Sequence, residues 1–240
     1  MKARQSVRDL LPMTDSPIPP QRDAGQAPLR VAFLDLDHTL LAADSNQLWL
    51  DYLLRRGHLQ PEQIAAHERF VDDYGQGRLD FAELQRFRDL IDTALPAAQL
   101  AELRAGFAAE SLLPAIARDA AALVGRLHAD GLLTVVVSAT RQSLVQPVAD
   151  QLGIAHVIGA DSQPELDAHC FGAGKIDHVG HWLWGLGSSL DALAESHFYS
   201  DSHNDLPLLE AVQHPVAVDP DPRLLQQARE RGWAVMSLRG

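Results

Sequence analysis

The chain has 240 residues, 46% of them hydrophobic, and a formal net charge of −12. This length can bury a full α/β core and still carry a smaller inserted domain. The acidic balance provides no basic surface for nucleic acid or for an anionic membrane, and it therefore favours a small-molecule substrate.

Three features of the chain favour a cytoplasmic location. Its single cysteine, Cys170, excludes an internal disulfide and a cysteine-ligated zinc site, as is typical of a reducing compartment. No apolar run approaches the roughly twenty residues that cross a bilayer, and the N-terminus lacks the hydrophobic stretch of a secretory signal. Residues 1–28 are instead rich in proline and polar residues, so we expect a flexible tail there.

The first predicted strand, residues 31–34, ends in two carboxylates and a hydroxyl, those of Asp35, Asp37 and Thr39. Alternate residues of a strand point to opposite sides, so Asp35 and Asp37 can meet only if the chain turns just after the strand. Such a turn would gather carboxylates and backbone carbonyls around one point, which suits a hard divalent cation and a phosphate. A loop that merely caps the next helix is the alternative.

The segment from residue 44 to residue 111 predicts an all-helical insert. It contains no strand comparable to the first, and its apolar residues follow a helical period. The segments on either side, residues 29–43 and 112–240, are expected to form one core domain.

The core predicts an α/β fold. Apolar runs typical of strands recur at residues 31–34, 132–137, 197–199 and 216–218, with helical patterns between them. This alternation predicts a parallel sheet with helices on both faces. Ligands bind such sheets at the carboxyl ends of the strands, so polar residues at several strand ends would converge there.

Two of the later strands also end in polar residues. The second is followed by Ser138, Ala139, Thr140 and Arg141, where a hydroxyl and backbone N–H groups could hold a phosphate oxygen. An ordinary helix N-cap is the alternative. The third is followed by residues 200–205, which include Asp201, Asn204 and Asp205, although a polar turn alone could explain that composition. The convergence of three such ends favours a binding site.

Lysine usage points to the same site. The chain has two lysines, Lys2 in the tail and Lys175 within residues 171–176. A surface lysine at a helix start is the alternative, but a cation is unfavourable at the positive end of a helix dipole. A compact ammonium beside a phosphate is the preferred interpretation.

In chain order, residues 35–39, Ser138, Lys175 and residues 201–205 resemble the four motifs of the haloacid dehalogenase-like phosphatases. The resemblance spans about residues 29–220 and is greatest to the subgroup that contains phosphoserine phosphatase and histidinol-phosphatase-like bacterial enzymes. It implies a Rossmann-like core and a helical cap domain inserted between the first two motifs.

The resemblance also implies roles for individual residues. Asp35 would be the nucleophile that forms an aspartyl-phosphate, and Asp37 would protonate the leaving alcohol and later activate water. Mg²⁺ would be held by the Asp35 carboxylate, the Asp37 backbone carbonyl and Asp201, with Asp205 helping directly or through water. The residues expected to hold the phosphoryl oxygens are Thr39, Ser138, Ala139 and Lys175.

Substrate selection is expected to lie mainly in the cap, because a closing cap would present side chains to the leaving group. The candidates there are Asn46, Arg69, Tyr74, Arg78 and Arg86. Two further candidates in the core are Arg141 and Asn204. Each of these could instead be an ordinary solvated residue.

The predicted function is Mg²⁺-dependent hydrolysis of a small phosphomonoester, with phosphoserine and histidinol phosphate as the leading substrates by analogy. The alternatives are a phosphotransferase that uses the same intermediate and a non-catalytic phosphate- or metal-binding module. The sequence leaves the oligomeric state open.

Overall fold

The computed structural model describes residues 29–76 and 78–240, so the tail predicted over residues 1–28 lies outside the described residues. The chain divides into two compact units. The core unit falls within Met1–Ala42 and Ala117–Gly240, and the helical unit is Ala43–Ile116. The helical unit therefore extends beyond the predicted 44–111, because short helical turns at Ala108–Leu112 and Leu113–Ala115 continue from its last helix. Its action as a cap stays a prediction.

Within the described residues, the core unit contains one parallel sheet of six strands. The strands are β1 (Val31–Leu34), β2 (Leu133–Val137), β3 (His156–Ile158), β4 (His197–Ser200), β5 (His214–Val218) and β6 (Ala234–Met236). Their order across the sheet is β3-β2-β1-β4-β5-β6. The sequence analysis missed β3 and β6, because each has three residues and lies at an edge of the sheet, where no long apolar run is needed.

Helices connect the strands of the core unit. They are α5 (Ala120–Ala129), α6 (Gln142–Leu152), α7 (Gly174–Gly185), α8 (Leu206–Ala211) and α9 (Pro222–Arg231). Helices α5 and α6 lead to β2 and β3 on one side of β1, whereas α7, α8 and α9 lead to β4, β5 and β6 on the other side. Right-handed crossovers therefore place α5 and α6 on one face of the sheet and α7, α8 and α9 on the opposite face. The core includes Phe33 and Phe198, both fully buried on adjacent strands. The predicted α/β fold class is confirmed.

The helical unit consists of α1 (Ser45–Arg55), α2 (Pro61–Gly75), α3 (Phe81–Thr93) and α4 (Ala97–Phe107), followed by the two short turns. Asp44 caps α1 by accepting a hydrogen bond from the Gln47 N–H. Trp49, Tyr52 and Phe107 pack together with ring centroids 5.1–6.0 Å apart. This aromatic cluster gives the helical unit apolar packing of its own.

None of the helices within the described ranges has the length and apolar character required to cross a bilayer.

Candidate active site

The candidate site lies where the strand order reverses, between β1 and β4. Leu34 at the end of β1 pairs with Tyr199 of β4, and the Asp35 N–H donates to the Tyr199 carbonyl at 2.9 Å. Asp201 directly follows β4. Reversal points of this kind are the usual ligand-binding positions in open parallel sheets, because the connections on either side diverge and leave a crevice.

A tight turn follows β1, as the spacing of the two aspartates requires. The Leu41 N–H donates to the Leu36 carbonyl at 2.9 Å, which closes the turn. His38, in the middle, has φ 57° and ψ 0°, a left-handed conformation that is uncommon for a residue with a side chain. The Arg239 guanidinium donates to the His38 carbonyl at 2.9 Å. This contact, made from the far end of the chain, stabilises the turn.

Lys175 lies at the start of α7 and is buried, with 3% of its side chain exposed. Its Nζ donates to Asp35 Oδ1 at 2.7 Å and to Asp205 Oδ2 at 2.8 Å. Burial alone would lower the lysine pKa, but the two carboxylates outweigh burial and raise it. Ser200 also donates to Asp205 Oδ2 at 2.7 Å. Lys175 is therefore a permanently charged ammonium that joins the predicted nucleophile to the loop after β4.

The site contains more carboxylates than cations. Burial raises the pKa of Asp35 to about 7, with the negative charges of Asp205 and Asp37 adding to the effect and Lys175 opposing it. Burial likewise raises the pKa of Asp201 to about 8, and the charges of Asp35 and Asp205 add to this shift. An excess of negative charge among hard oxygen donors is the environment that a divalent cation relieves.

The oxygen donors at the site fit Mg²⁺ if two carboxylates and one backbone carbonyl bind it. Among the described residues, no three His, Cys, Asp or Glu side chains gather tightly enough to hold a metal ion by themselves. The expected set needs two carboxylates, those of Asp35 and Asp201, together with the backbone carbonyl of Asp37. Mg²⁺ usually keeps several waters and takes one or two carboxylates from the protein, so this set suits it. Asp205 Oδ2 already accepts hydrogen bonds from both Lys175 and Ser200, which favours an indirect contribution of Asp205.

Thr39 makes a contact different from the predicted one. Its hydroxyl donates to Asp201 Oδ1 at 3.3 Å and accepts the Asp201 N–H at 3.0 Å. A hydroxyl has one proton, so in this arrangement it has none to donate to a phosphoryl oxygen. The Thr39 side chain therefore joins the loops after β1 and β4. A contact between Thr39 and phosphate stays a prediction.

The loop after β2 approaches the predicted acid–base residue. Ser138 is buried at the end of β2, and its Oγ accepts the Thr140 N–H at 3.0 Å. Ala139 is half-buried beside it. The Thr140 hydroxyl donates to Asp37 Oδ2 at 2.9 Å. The sequence analysis gave Thr140 no role, although it lies inside the turn that was singled out.

Asp221 is a second residue that the sequence analysis missed. Its N–H donates to the Asp201 carbonyl at 2.8 Å, and its Oδ2 accepts the His203 N–H at 2.6 Å. Partial burial would raise the Asp221 pKa, but hydrogen bonds from the backbone of His203 and Leu224 and from the His203 ring lower it. Asp221 therefore fixes the loop that carries Asp201 and Asp205. Only the pairing of β4 with β5 brings it there.

The predicted substrate-binding residues lie in both units. In the core unit, Arg141 directly precedes α6, and Asn204 donates its N–H to Ser202 Oγ at 3.2 Å; both are half-buried. In the helical unit, Arg69 pairs with Glu83 at 3.4 Å and Arg78 pairs with Asp73 at 2.9 Å. Asn46 lies in α1, Arg86 is exposed on α3, and the side chain of Tyr74 lies outside the described set. Substrate contact by these residues stays a prediction.

The sequence model of one protein family, the haloacid dehalogenase-like hydrolases, matches residues 32–210 of this chain. This span covers most of the chain and includes the turn after β1, the loop after β2, Lys175 and the loop after β4. The chain belongs to the haloacid dehalogenase-like hydrolase family, and the resemblance seen in its motifs is confirmed.

Individual relatives indicate which class of enzyme within this family the chain belongs to. A histidinol-phosphatase of Neisseria meningitidis is 35% identical over 219 residues, which cover 87% of this chain and 99% of that protein. A crystal structure of a Bordetella pertussis protein of unknown function is 34% identical, with a TM-score of 0.80 over 88% of this chain and 100% of that one. A substrate-bound phosphoserine phosphatase has a TM-score of 0.57 at 13% identity over 90% and 95% of the two chains, which concerns the fold alone. The predicted enzyme class, a phosphatase of this family, is confirmed.

Proposed function

We propose that this protein is a Mg²⁺-dependent phosphomonoester hydrolase that acts on a small metabolite through an aspartyl-phosphate on Asp35. The observation that carries the proposal is the buried Lys175 ammonium, bonded to both Asp35 and Asp205. A structural ion pair would need one carboxylate for one ammonium. The surplus carboxylates beside it instead suit a cation and an anionic phosphoryl group between them.

In the first step, a carboxylate oxygen of Asp35 forms a bond to phosphorus while the bond from phosphorus to the leaving oxygen breaks. The leaving oxygen takes the proton of the Asp37 carboxyl group and departs as an alcohol. Lys175 donates hydrogen bonds to the phosphoryl group and offsets its charge. Ser138 and the backbone N–H of Ala139 hold further phosphoryl oxygens at the end of β2.

In the second step, the Asp37 carboxylate takes a proton from water as the water oxygen bonds to phosphorus. The bond between phosphorus and Asp35 breaks, which restores both aspartates and releases inorganic phosphate. Bound Mg²⁺, held by Asp35, Asp201 and the Asp37 carbonyl, would supply positive charge that offsets the carboxylates and the phosphoryl group. The net reaction is phosphate ester plus water to alcohol plus phosphate.

Histidinol phosphate and phosphoserine are the proposed substrates to test first. The 35% identity to a histidinol-phosphatase over almost the whole of that protein supports histidinol phosphate, and the similarity in fold to phosphoserine phosphatase supports phosphoserine.

The lone cysteine, Cys170, supports the proposed cytoplasmic location. Cys170 is buried, and burial raises the pKa of its thiol to about 12, as expected for an unreactive apolar residue.

The experiment is an assay of phosphate release from a panel of phosphorylated metabolites by the purified protein, with and without Mg²⁺. An Asp35→Asn variant is the matched control, because it keeps the shape of the side chain and removes the nucleophilic carboxylate. Trapping the intermediate by rapid acid quench and mass spectrometry should place a phosphoryl group on Asp35. Release no greater than that of the Asp35→Asn variant would favour a non-catalytic module, and transfer to an added alcohol in preference to water would favour a phosphotransferase.

A further inference from the structure

We infer that Thr140 is a positioning residue that sets the orientation of the Asp37 carboxyl group. This inference rests on the proposed function, in which Asp37 passes protons to the leaving alcohol and from the attacking water. The Thr140 hydroxyl donates to Asp37 Oδ2 at 2.9 Å, and Thr140 is fully buried, with 0% of its surface exposed. The two residues are 103 positions apart in the sequence.

The contact fixes one rotation that matters for proton transfer. A carboxyl group on a short side chain turns about the bond to its carboxyl carbon, and that torsion has a broad energy minimum. Holding Oδ2 by a hydroxyl donor defines the plane of the group and so the direction in which its other oxygen points. General acid–base catalysis depends on that direction, because the proton must lie within hydrogen-bond reach of the reacting oxygen.

The main chain of Thr140 is held on both sides, so its hydroxyl has a defined place from which to donate. The Thr140 N–H donates to Ser138 Oγ at 3.0 Å, and the Thr140 carbonyl accepts the Ala160 N–H at 2.9 Å. The first contact comes from the end of β2 and the second from the loop after β3. Two neighbouring strand ends therefore determine where the hydroxyl lies.

The loop after β3 packs against this segment backbone to backbone. A Cβ atom at Gly159 would lie 2.7 Å from the Gln142 nitrogen and 3.0 Å from the Thr140 carbonyl oxygen. Asp161 accepts the Gln142 N–H at 2.7 Å, and Ser162 donates to Gln142 Oε1 at 3.0 Å. This close approach supports the Thr140 turn.

A pair of substrates separates positioning of Asp37 from a general structural role. The nitrophenolate of 4-nitrophenyl phosphate leaves without needing a proton, so phosphorylation of Asp35 by this ester does not depend on Asp37. Removal of the phosphoryl group by water does depend on it, as does phosphorylation by an alkyl ester. Loss of the Thr140 hydroxyl should therefore slow one half of the reaction with the aryl ester and both halves with an alkyl ester.

The test is rapid-mixing kinetics of 4-nitrophenolate release by the wild type and by Thr140→Val, which keeps the volume and removes the hydroxyl. We expect the variant to show a burst approaching one nitrophenolate per enzyme, followed by a steady rate about 10- to 100-fold below the wild type. Thr140→Ser, which restores a hydroxyl, should return the steady rate to within a few-fold. Thr134→Val is the matched control, since this buried β2 threonine bonds His128 and not the site.

If Thr140→Val reduces the rate of the burst phase and the steady-state rate equally, or if Thr140→Ser does not restore the steady-state rate, Thr140 has a structural role and the inference is overturned. An unchanged steady rate for Thr140→Val would overturn it as well. Thr140→Ala, which removes the same hydroxyl with less bulk, gives the same readouts if the valine variant does not fold. Failure of the proposed function has a different result: the wild type would form no phosphoenzyme, or Asp35→Asn would remain active.

Discussion

Lys175 Nζ lies 2.7 Å from Asp35 Oδ1 although 140 positions separate the two residues in the sequence. The contact is buried, and the same ammonium also bonds Asp205. One cation therefore joins the turn after β1, the first turn of α7 and the loop after β4. The stability of the core unit and the proposed chemistry of its site consequently depend on the same side chain.

Replacing Lys175 by Met should reduce both stability and activity. The change leaves the carboxylates of Asp35 and Asp205 buried without their partner, and breaking a buried pair in this way costs about 3–5 kcal/mol. Urea unfolding at pH 8 would measure the loss of unfolding free energy. The loss should shrink at pH 5, because burial raises the pKa of Asp35 to about 7 and this carboxylate takes up a proton there. A surface change such as Arg229→Met serves as the control. A Lys175→Met protein as stable as the wild type at pH 8 would contradict the prediction.

Stability of the metal-free protein should fall as the pH rises. Burial raises the pKa of Asp35 to about 7 and that of Asp201 to about 8, well above the ordinary value of 3.8, so the folded state binds protons more tightly than the unfolded state. From about pH 4 to pH 8 the folded protein carries more bound protons than the unfolded chain. The free energy of unfolding therefore decreases as the pH increases over this range.

Added Mg²⁺ should reverse this trend, because it competes with the same protons for the same oxygens. The increase in melting temperature on adding Mg²⁺ should be larger at pH 8 than at pH 6. The Asp201→Asn variant, which removes one of the two carboxylates, should show a smaller increase at both values. An equal increase at pH 6 and pH 8 in the wild type would show that proton release and metal binding are not linked.

Gly159→Ala should destabilise the loop after β3. The new Cβ would meet the backbone of Gln142 and Thr140 at 2.7 and 3.0 Å, and backbone atoms cannot move aside as side-chain ends can. Overpacking of this kind costs about 1–3 kcal/mol. Thermal unfolding would measure the cost, and kcat should fall because Thr140 shifts. Gly125→Ala is the control: nothing lies within 4 Å of its Cβ position in α5, and alanine there should stabilise the helix by about 0.5–1 kcal/mol.

His38 is expected to be a conformational residue and not a catalytic one. It is exposed and adopts φ 57°, a region that asparagine tolerates and that β-branched residues strongly disfavour. His38→Asn should retain kcat within a few-fold, whereas His38→Val should lose about 1–3 kcal/mol of stability through backbone strain. Chemical unfolding and steady-state kinetics of both variants would check this. A large loss of kcat in a stable His38→Asn protein would indicate instead that the imidazole takes part in the reaction.

Local sequence patterns were sufficient for the parts of this protein that depend on neighbouring residues. The apolar run of β1 followed by Asp35 and Asp37 predicted a buried strand and a turn, and both are present. The rarity of lysine singled out Lys175, which is buried against two carboxylates. The edge strands β3 and β6 were missed, because three-residue strands carry too few positions for a period to show.

By itself, the sequence determined the fold class, the family and the chemical identity of the side chains after each central strand, because these follow from hydrophobic period and from short motifs. Only the tertiary structure decided which of those side chains contact one another. It joined Thr39 to Asp201 and Thr140 to Asp37, and it paired the Asp221 N–H with the Asp201 carbonyl. The physical reason is that hydrogen bonds between strand ends depend on strand order and register, which pair residues a hundred or more positions apart and leave no local pattern to read.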